Sequence, residues 1–181
     1  ALGLGAIGGK DSMSGPFNDI HVPPTRVSFA IAPGKASEAV SQELKKEGDL
    51  LVLFGMPKDK DGMPDLDVFK KHADFLYQEV KAGHVAAMKA VDHGGVAVTA
   101  AKMAFGNGLG IRFTENLPLP KFFGNFYGAI IVETTPEEAE RFAKEPHTKI
   151  LGTVGGTTME AYGEPISLSY LLAANETQLA T

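Results

Sequence analysis

Cysteine is absent from all 181 residues. Disulfides, thiolate metal sites and cysteine nucleophiles are therefore excluded from the chemistry this chain can perform by itself. An excess of positive charge is also lacking: 17 Lys and Arg face 22 Asp and Glu, for a net charge of -5. Such a balance offers no broad attraction to nucleic acid. No apolar run approaches the roughly 18 to 20 residues that span a bilayer, and the opening residues lack the basic-then-apolar order of a signal peptide. No membrane partner is expected, and a cytoplasmic location follows as the default. No Gly-x-Ser-x-Gly elbow occurs, and Ser12 and Ser14 have no evident histidine and carboxylate partners, so nucleophilic hydrolysis is unsupported. The five histidines (His21, His72, His84, His93 and His147) form no His-x-x-x-His pair or other compact ligand spacing, and no metal site is expected from them.

What is present is 44% hydrophobic residues and a length that suits one well-buried domain, or one domain with an added segment. Val27 to Pro33 and the apolar run Leu50 to Phe54 predict strands, with Ala36 to Lys46 a short helix or an extended loop between them. From Asp65 the period becomes helical, Leu66, Phe69, Phe75, Leu76 and Val80 sharing a side, and it ends near Gly83. A second helix starts at Gly94 or Gly95 and runs to Gly106. Further strands are expected at 110–114, 129–133, 150–154 and 165–169. In "TTPEEAERF", Thr134 or Thr135 supplies a cap, Pro136 the first turn, and Glu137 and Glu138 complement the helix dipole. This mixed order favours an α+β or three-layer sandwich over a regular βαβ repeat.

Several segments imitate nucleotide motifs. Gly3, Gly5 and Gly8 match G-x-G-x-x-G, but only two residues precede them, too few for the strand that fingerprint needs. Gly9-Lys10 imitates the end of a phosphate loop, yet Leu4 stands where its first glycine belongs and Asp11 where its hydroxyl belongs. What remains is a glycine-flanked Lys10-Asp11-Ser12 triplet on a turn. In "DHGGVAV", Asp92 and His93 precede Gly94, Gly95 and a helix start. That arrangement suits a phosphate at the free amides, and equally suits Asp92 as a cap with glycines that permit close packing. "GTVGGTT", residues 152–158, could wrap a phosphate but reads more readily as a hairpin with a glycine turn. "FGNGLG", residues 105–110, reads as a helix end turning into a strand. The 57–67 loop imitates a calcium loop at Asp59, Asp61 and Gly62. Its register fails at Pro57 and Val68, which leaves a solvated acidic loop.

Taken together, "GAIGGKDSMSG" (5–15), "PPTRVSFAIAP" (23–33), "GDLLVLFG" (48–55) and "DHGGVAVTAAKMAFGNGLG" (92–110) resemble phosphoribosylformylglycinamidine synthase in its long multidomain form. The resemblance covers most of the chain. It implies that residues 1–20 are the tail of an N-terminal ATP-binding subdomain with its linker. Residues 21–181 would be the C-terminal domain of the second half similar to aminoimidazole ribonucleotide synthetase. The implied fold is a three-layer α/β/α sandwich with a mixed sheet and a partial likeness to a ferredoxin fold. The implied activity of the whole enzyme is conversion of formylglycinamide ribonucleotide, ATP and glutamine to the amidine, ADP, phosphate and glutamate.

Carried onto this sequence, the resemblance implies ATP contacts at Gly9 and Lys10 and substrate contacts at Asp11 and Ser12. Asp92, His93, Gly94 and Gly95 would form a possible anion or nucleotide loop. Lys10 stands where short-form relatives have a magnesium-binding asparagine. "AVDHGG" places Ala90 where many long-form members have a metal-binding aspartate, which puts metal binding there in doubt, and a glycine-rich E-L-G-G-S segment is replaced by the 57–67 loop. ATP and magnesium are implied for the full-length enzyme, with a glutaminase among the remaining domains of the same polypeptide. The glutaminase needs a cysteine nucleophile, so it lies outside these residues, and the 181 residues alone are expected to be inactive. Two other readings are a chiefly structural or auxiliary nucleotide-binding half-domain, and a related ATP-using synthetase for selenophosphate or thiamine phosphate.

Overall fold

Gly8–Ser12 (β1) is extended. After it the chain forms a small hairpin, Gly15–Phe17 (β2) against Ile20–Val22 (β3), turning at Asn18, whose φ of 53° is one that asparagine tolerates in tight hairpin turns. It then returns as Thr25–Phe29 (β4), antiparallel to β1, with Gly9 opposite Ser28, Lys10 opposite Val27 and Asp11 opposite Arg26. The strand expected at 27–33 therefore begins and ends earlier, because its partner β1 sets the length of the ladder. A 3-10 turn at Ala36–Glu38 follows. The computed structural model describes residues 3, 5–12, 15–114 and 116–177, with Ser12 and Phe17 described in their backbone alone. Met13 and Ser14 lie outside the described residues.

The chain divides into two compact units between Glu38 and Ala39. The β1–β4 ladder keeps Thr25–Phe29 with the first of them. No described residue of the first unit is buried.

In the second unit Leu50–Phe54 (β5) is apolar throughout because both of its faces are covered. Leu51 and Leu53 enter one hydrophobic cluster, Val52 and Phe54 the other. Leu66–Ala82 (α1) starts where the Asp65 carboxylate accepts the Asp67 and Val68 N–H groups, and stops at Gly83, held at φ 79°. Ala87–Ala90 (β6) leads to Gly95–Phe105 (α2), whose alanine-rich sequence is buried along most of its length. Ile111–Phe113 (β7), the single turn Leu119–Phe122 (α3) and Ile130–Thr134 (β8) come next. Thr135 caps Pro136–Phe142 (α4), its hydroxyl accepting the Glu138 N–H, as the sequence predicts. Thr148–Val154 (β9), Thr158–Ala161 (β10), Glu164–Ser167 (β11) and Leu168–Thr177 (α5) complete the unit.

The sheet order is β11-β10-β7-β9-β5-β8-β6, antiparallel except for the parallel β7–β10 pair. Residues of α1 and α4 pack with Val52, Phe54 and Val132 on one face. Those of α2, α3 and α5 pack with Leu51, Leu53 and Ile131 on the other. The result is the expected three-layer α/β/α sandwich with a mixed sheet.

Two local expectations change. The "GTVGGTT" segment is no hairpin, because β7 lies between β9 and β10 and the Gly155-Gly156 loop crosses over it. The close pair is β10–β11, turning at Tyr162 and Gly163, both at positive φ. The strand expected at 165–169 ends at Ser167, whose hydroxyl accepts the Tyr170 N–H and turns the chain into α5.

Candidate functional site

Gly9, Lys10 and Asp11 share a concavity of about 310 Å³ with Arg26, Val27 and Ser28, all from the first unit. The triplet read from the sequence as a turn is a strand, and the β1–β4 register gathers these side chains. A Cβ on Gly9 would lie 2.9 Å from the Val27 carbonyl oxygen, so the ladder requires glycine there. Arg26 donates through Nε to Asp11 Oδ1 at 3.2 Å, with the two side chains 85% and 70% exposed. A pair so open to water contributes little to stability. Among the described residues Lys10 enters no ion pair, which leaves an accessible ammonium beside the half-neutralised guanidinium. Arg26 is the member of this group that sequence reasoning missed. Its role depends on strand register, which no local motif reports.

The concavity suits a phosphate better than a metal ion. Its one carboxylate, Asp11, is already engaged by Arg26, and Lys10 offers a positive charge instead of an oxygen ligand. The Ser12 side chain lies outside the described part of the structure.

Asp92, His93, Gly94 and Gly95 lie in the second unit, ahead of α2. Asp92 does not cap this helix through its side chain. The N-cap is Gly94, at φ 82° and without a side-chain bond, while Asp92 gives its N–H to Thr99 Oγ1 (3.3 Å) and its carbonyl to the Gly95 N–H (3.0 Å). Gly95 is buried at φ 67°, and a Cβ there would lie 2.6 Å from the carbonyl oxygens of both Phe122 and Gly124. The glycine pair thus serves close packing. The exposed His93 stands edge-on to the Tyr127 ring, 5.8 Å between centroids, with Nδ1 3.4 Å from the phenolic oxygen.

The Gly155-Gly156 loop already holds an anion of the chain's own: Glu47 Oε1 accepts the Gly156 N–H at 3.1 Å. Glu79, His84 and Glu138 offer ligand atoms within 4.8 Å of one another, a spatial grouping that sequence spacing does not show. Arg141 fills it. Its guanidinium bonds both Glu79 oxygens, and its Nε donates to Glu138 at 2.7 Å. Arg141 and the His84 ring hold the Glu79 carboxyl below its ordinary value against the opposing effect of burial. A metal ion would have to displace this guanidinium, so the grouping is structural.

Glu133 on β8 is fully buried, and its two oxygens accept the Lys45 N–H at 2.9 and 2.8 Å and the Lys46 N–H at 2.9 Å. Burial pushes its carboxyl above the ordinary value, with Asp49 adding to the effect, while the backbone N–H groups pull the other way. This carboxylate pins the 45–46 segment to the sheet.

No helix among the described residues is long and apolar enough to cross a membrane. No protein-family profile matches the sequence. Over 97% of its length the chain is 29% identical to the phosphoribosylformylglycinamidine synthase subunit PurL of Parvibaculum lavamentivorans, of whose length it spans 28%. Its fold is similar to that of T. maritima PurL complexed with FGAR, with a TM-score of 0.62, 14% identity, and coverage of 83% of this chain and 31% of the other. Against T. maritima PurL complexed with ATP the TM-score is 0.60 at 14% identity, covering 81% of this chain and 28% of the other. The sequence relative and the shared fold agree with the resemblance read from the G-K-D-S-M-S block: the chain is similar to a segment of PurL.

Proposed function

We propose that this chain, a PurL-like segment, works as part of an ATP-dependent carbon-nitrogen ligase that converts formylglycinamide ribonucleotide to its amidine in the cytoplasm. The observation that carries the reading is similarity along 97% of the chain to a PurL subunit, with the G-K-D-S strand intact. The chain spans 28% of that relative, so the remaining parts of the site would come from elsewhere in a longer polypeptide. In this reading residues 1–20 are the tail of the ATP-binding subdomain with its linker, and residues 21–181 are the synthetase-like C-terminal domain. Ammonia would come from a glutaminase. The relative's designation as a subunit supports a glutaminase on a separate chain over one on the same polypeptide.

The chemistry asks for phosphorylation of an amide oxygen, then displacement of phosphate by ammonia. Gly9 is assigned a nucleotide contact through its backbone, the space a side chain would take being filled by the Val27 carbonyl. The Lys10 ammonium offsets negative charge on the transferring phosphoryl group, with Arg26 as a second cation. Asp11 and Ser12 are the residues assigned to substrate contact in this reading. Magnesium accompanies ATP in this reading, but the concavity holds no fitting ligand set among the described residues, so no step is assigned to it here. For the Asp92–Gly95 loop, the packing of Gly95 on two carbonyl groups favours the structural half-domain reading.

The test is Lys10→Ala in the longer ligase polypeptide, assayed with formylglycinamide ribonucleotide, ATP and ammonium. The Michaelis constant for ATP should rise by about tenfold, the loss of one charge-assisted phosphate contact. Unchanged ATP dependence and turnover would refute the assignment.

A further inference from the structure

A cavity of about 550 Å³ opens in the second unit where the end of β5 meets the start of β9. Its floor is apolar: Leu53, Met56 and Leu117 are buried and Phe126 is half-buried. Gly55 lets the end of β5 lie close against the His147 backbone, since a Cβ there would sit 2.9 Å from the His147 carbonyl oxygen and 3.9 Å from the Phe126 ring.

The rim has one sign of charge. Lys58, Lys121 and Lys149 line it beside the His147 ring, and none of its twelve described lining residues is Asp or Glu, in a chain whose acids outnumber its Lys and Arg by 22 to 17. The carboxylate next to Lys58 is turned away, because Asp59 Oδ1 accepts the N–H groups of Asp61 and Met63, both at 2.9 Å. Among the described residues Lys58 and Lys121 enter no ion pair. His147 is held at φ 61°, a conformation that costs about 1 kcal/mol or more outside glycine. The Gly55 N–H donating to its carbonyl at 2.9 Å fixes it at the rim. The Thr148 hydroxyl is spent on the Phe142 and Glu145 carbonyls, so the polar character at the mouth is cationic.

We propose that this cavity is a binding site for a phosphate monoester with a planar apolar body, the ring resting on Leu117 and Phe126 and the phosphate between Lys58 and Lys121. Its volume falls in the range of about 300 to 1,000 Å³ typical of small-molecule sites. The Lys58 and Lys121 ammonium groups beside an apolar floor, with no carboxylate among the described lining residues, favour a ligand that is anionic at one end only. The proposal is separate from the ligase reading, because it concerns other residues and is tested without ligase turnover.

The 181-residue chain is titrated with AMP, adenosine and inorganic phosphate, followed by calorimetry and by amide chemical shifts. AMP is expected to saturate, to shift the Gly55 and Phe126 resonances, and to bind at least about tenfold more tightly than either adenosine or phosphate alone. The Lys58→Ala/Lys121→Ala double variant should bring AMP down to the level of adenosine while leaving adenosine unchanged, and Lys121→Arg should keep most of the affinity. The proposal is overturned by the absence of saturation, by phosphate or adenosine binding as tightly as AMP, or by a folded double variant that binds AMP like the wild type.

Discussion

Replacing Glu133 by alanine should unfold the second unit more readily than any surface change. Two backbone donors, the Lys45 and Lys46 N–H groups, lose the buried carboxylate that now accepts from them at 2.8 to 2.9 Å in part-buried bonds. A donor shielded from water and left without a partner costs about 1 to 3 kcal/mol. Removal of a carboxylate that burial itself disfavours returns part of this, so the net loss should be about 3 kcal/mol. Glu133→Gln keeps one acceptor oxygen and should lose less, about 1 to 2 kcal/mol. The assay is urea unfolding followed by circular dichroism. With a slope of about 2 kcal/mol per molar, the alanine midpoint should fall by about 1.5 M at unchanged slope. The pH dependence carries a sign. The native carboxyl sits above its ordinary value of about 4.3, so the folded state retains a proton that the unfolded state has released, and stability falls as pH rises through that window. The advantage of the wild type over Glu133→Gln should therefore shrink as pH rises above about 4.3. An alanine variant within about 0.5 kcal/mol of wild type, or a gap that widens with pH, would refute the account.

Gly95→Ala should cost about 2 to 4 kcal/mol, since the new methyl meets two carbonyl oxygens at 2.6 Å from a left-handed backbone; a thermal shift below about 3 °C would contradict the close-packing role. Arg141→Met should flatten the acid limb of the stability curve. Glu79 is held below its ordinary value, so its stabilisation is complete above about pH 4.3 and lost as pH falls through the lower folded value; a melting temperature that retains the same slope below pH 4 would exclude the contact as its source. Amide hydrogen exchange should be fast in the β1–β4 ladder, which buries no described residue, and slow at Leu51 to Phe54; comparable protection in both would contradict the exposure of the ribbon.

The elements most legible in the sequence were those with a local physical cause. Leu50–Phe54, the helix ending at Gly83, the alanine-rich helix after Gly94 and the Thr135–Pro136 start all appear close to where their patterns place them. Ala87–Ala90 and Thr158–Ala161 were missed because each is four residues long and carries a charged residue within the strand, Lys89 or Glu160, so neither shows a period. The side of α1 that faces the protein was only partly legible. Its buried residues include His72 and Glu79, polar types that a hydrophobic period excludes. His72 is admitted by a bond of 2.8 Å from Nε2 to the Pro146 carbonyl, and Glu79 by Arg141. Both partners lie more than sixty residues away. Pairing that distant is invisible to local pattern.

The same limit separates motif from chemistry. Gly94 and Gly95 sit where a phosphate loop would place its glycines, yet the carbonyl groups of Phe122 and Gly124 fill the space beside Gly95, and the Val98 side chain fills that beside Gly94. At Gly155-Gly156 the carboxylate of Glu47 has taken the amide that an external anion would need. The accessible cations stand elsewhere. Lys10 becomes part of a group only when β4 brings Arg26 alongside Asp11. Lys58 and Lys121, 63 residues apart in sequence, meet at one cavity because β5 and the 117–121 segment converge on Leu53. A glycine spacing records where a backbone can bend or approach. It does not record what has already arrived there, and in this chain the space beside those glycines is largely occupied by the protein's own carbonyl and carboxylate oxygens. Anion binding is therefore better sought at Lys10, Lys58 and Lys121, which enter no ion pair among the described residues, than at the glycines that resemble a loop.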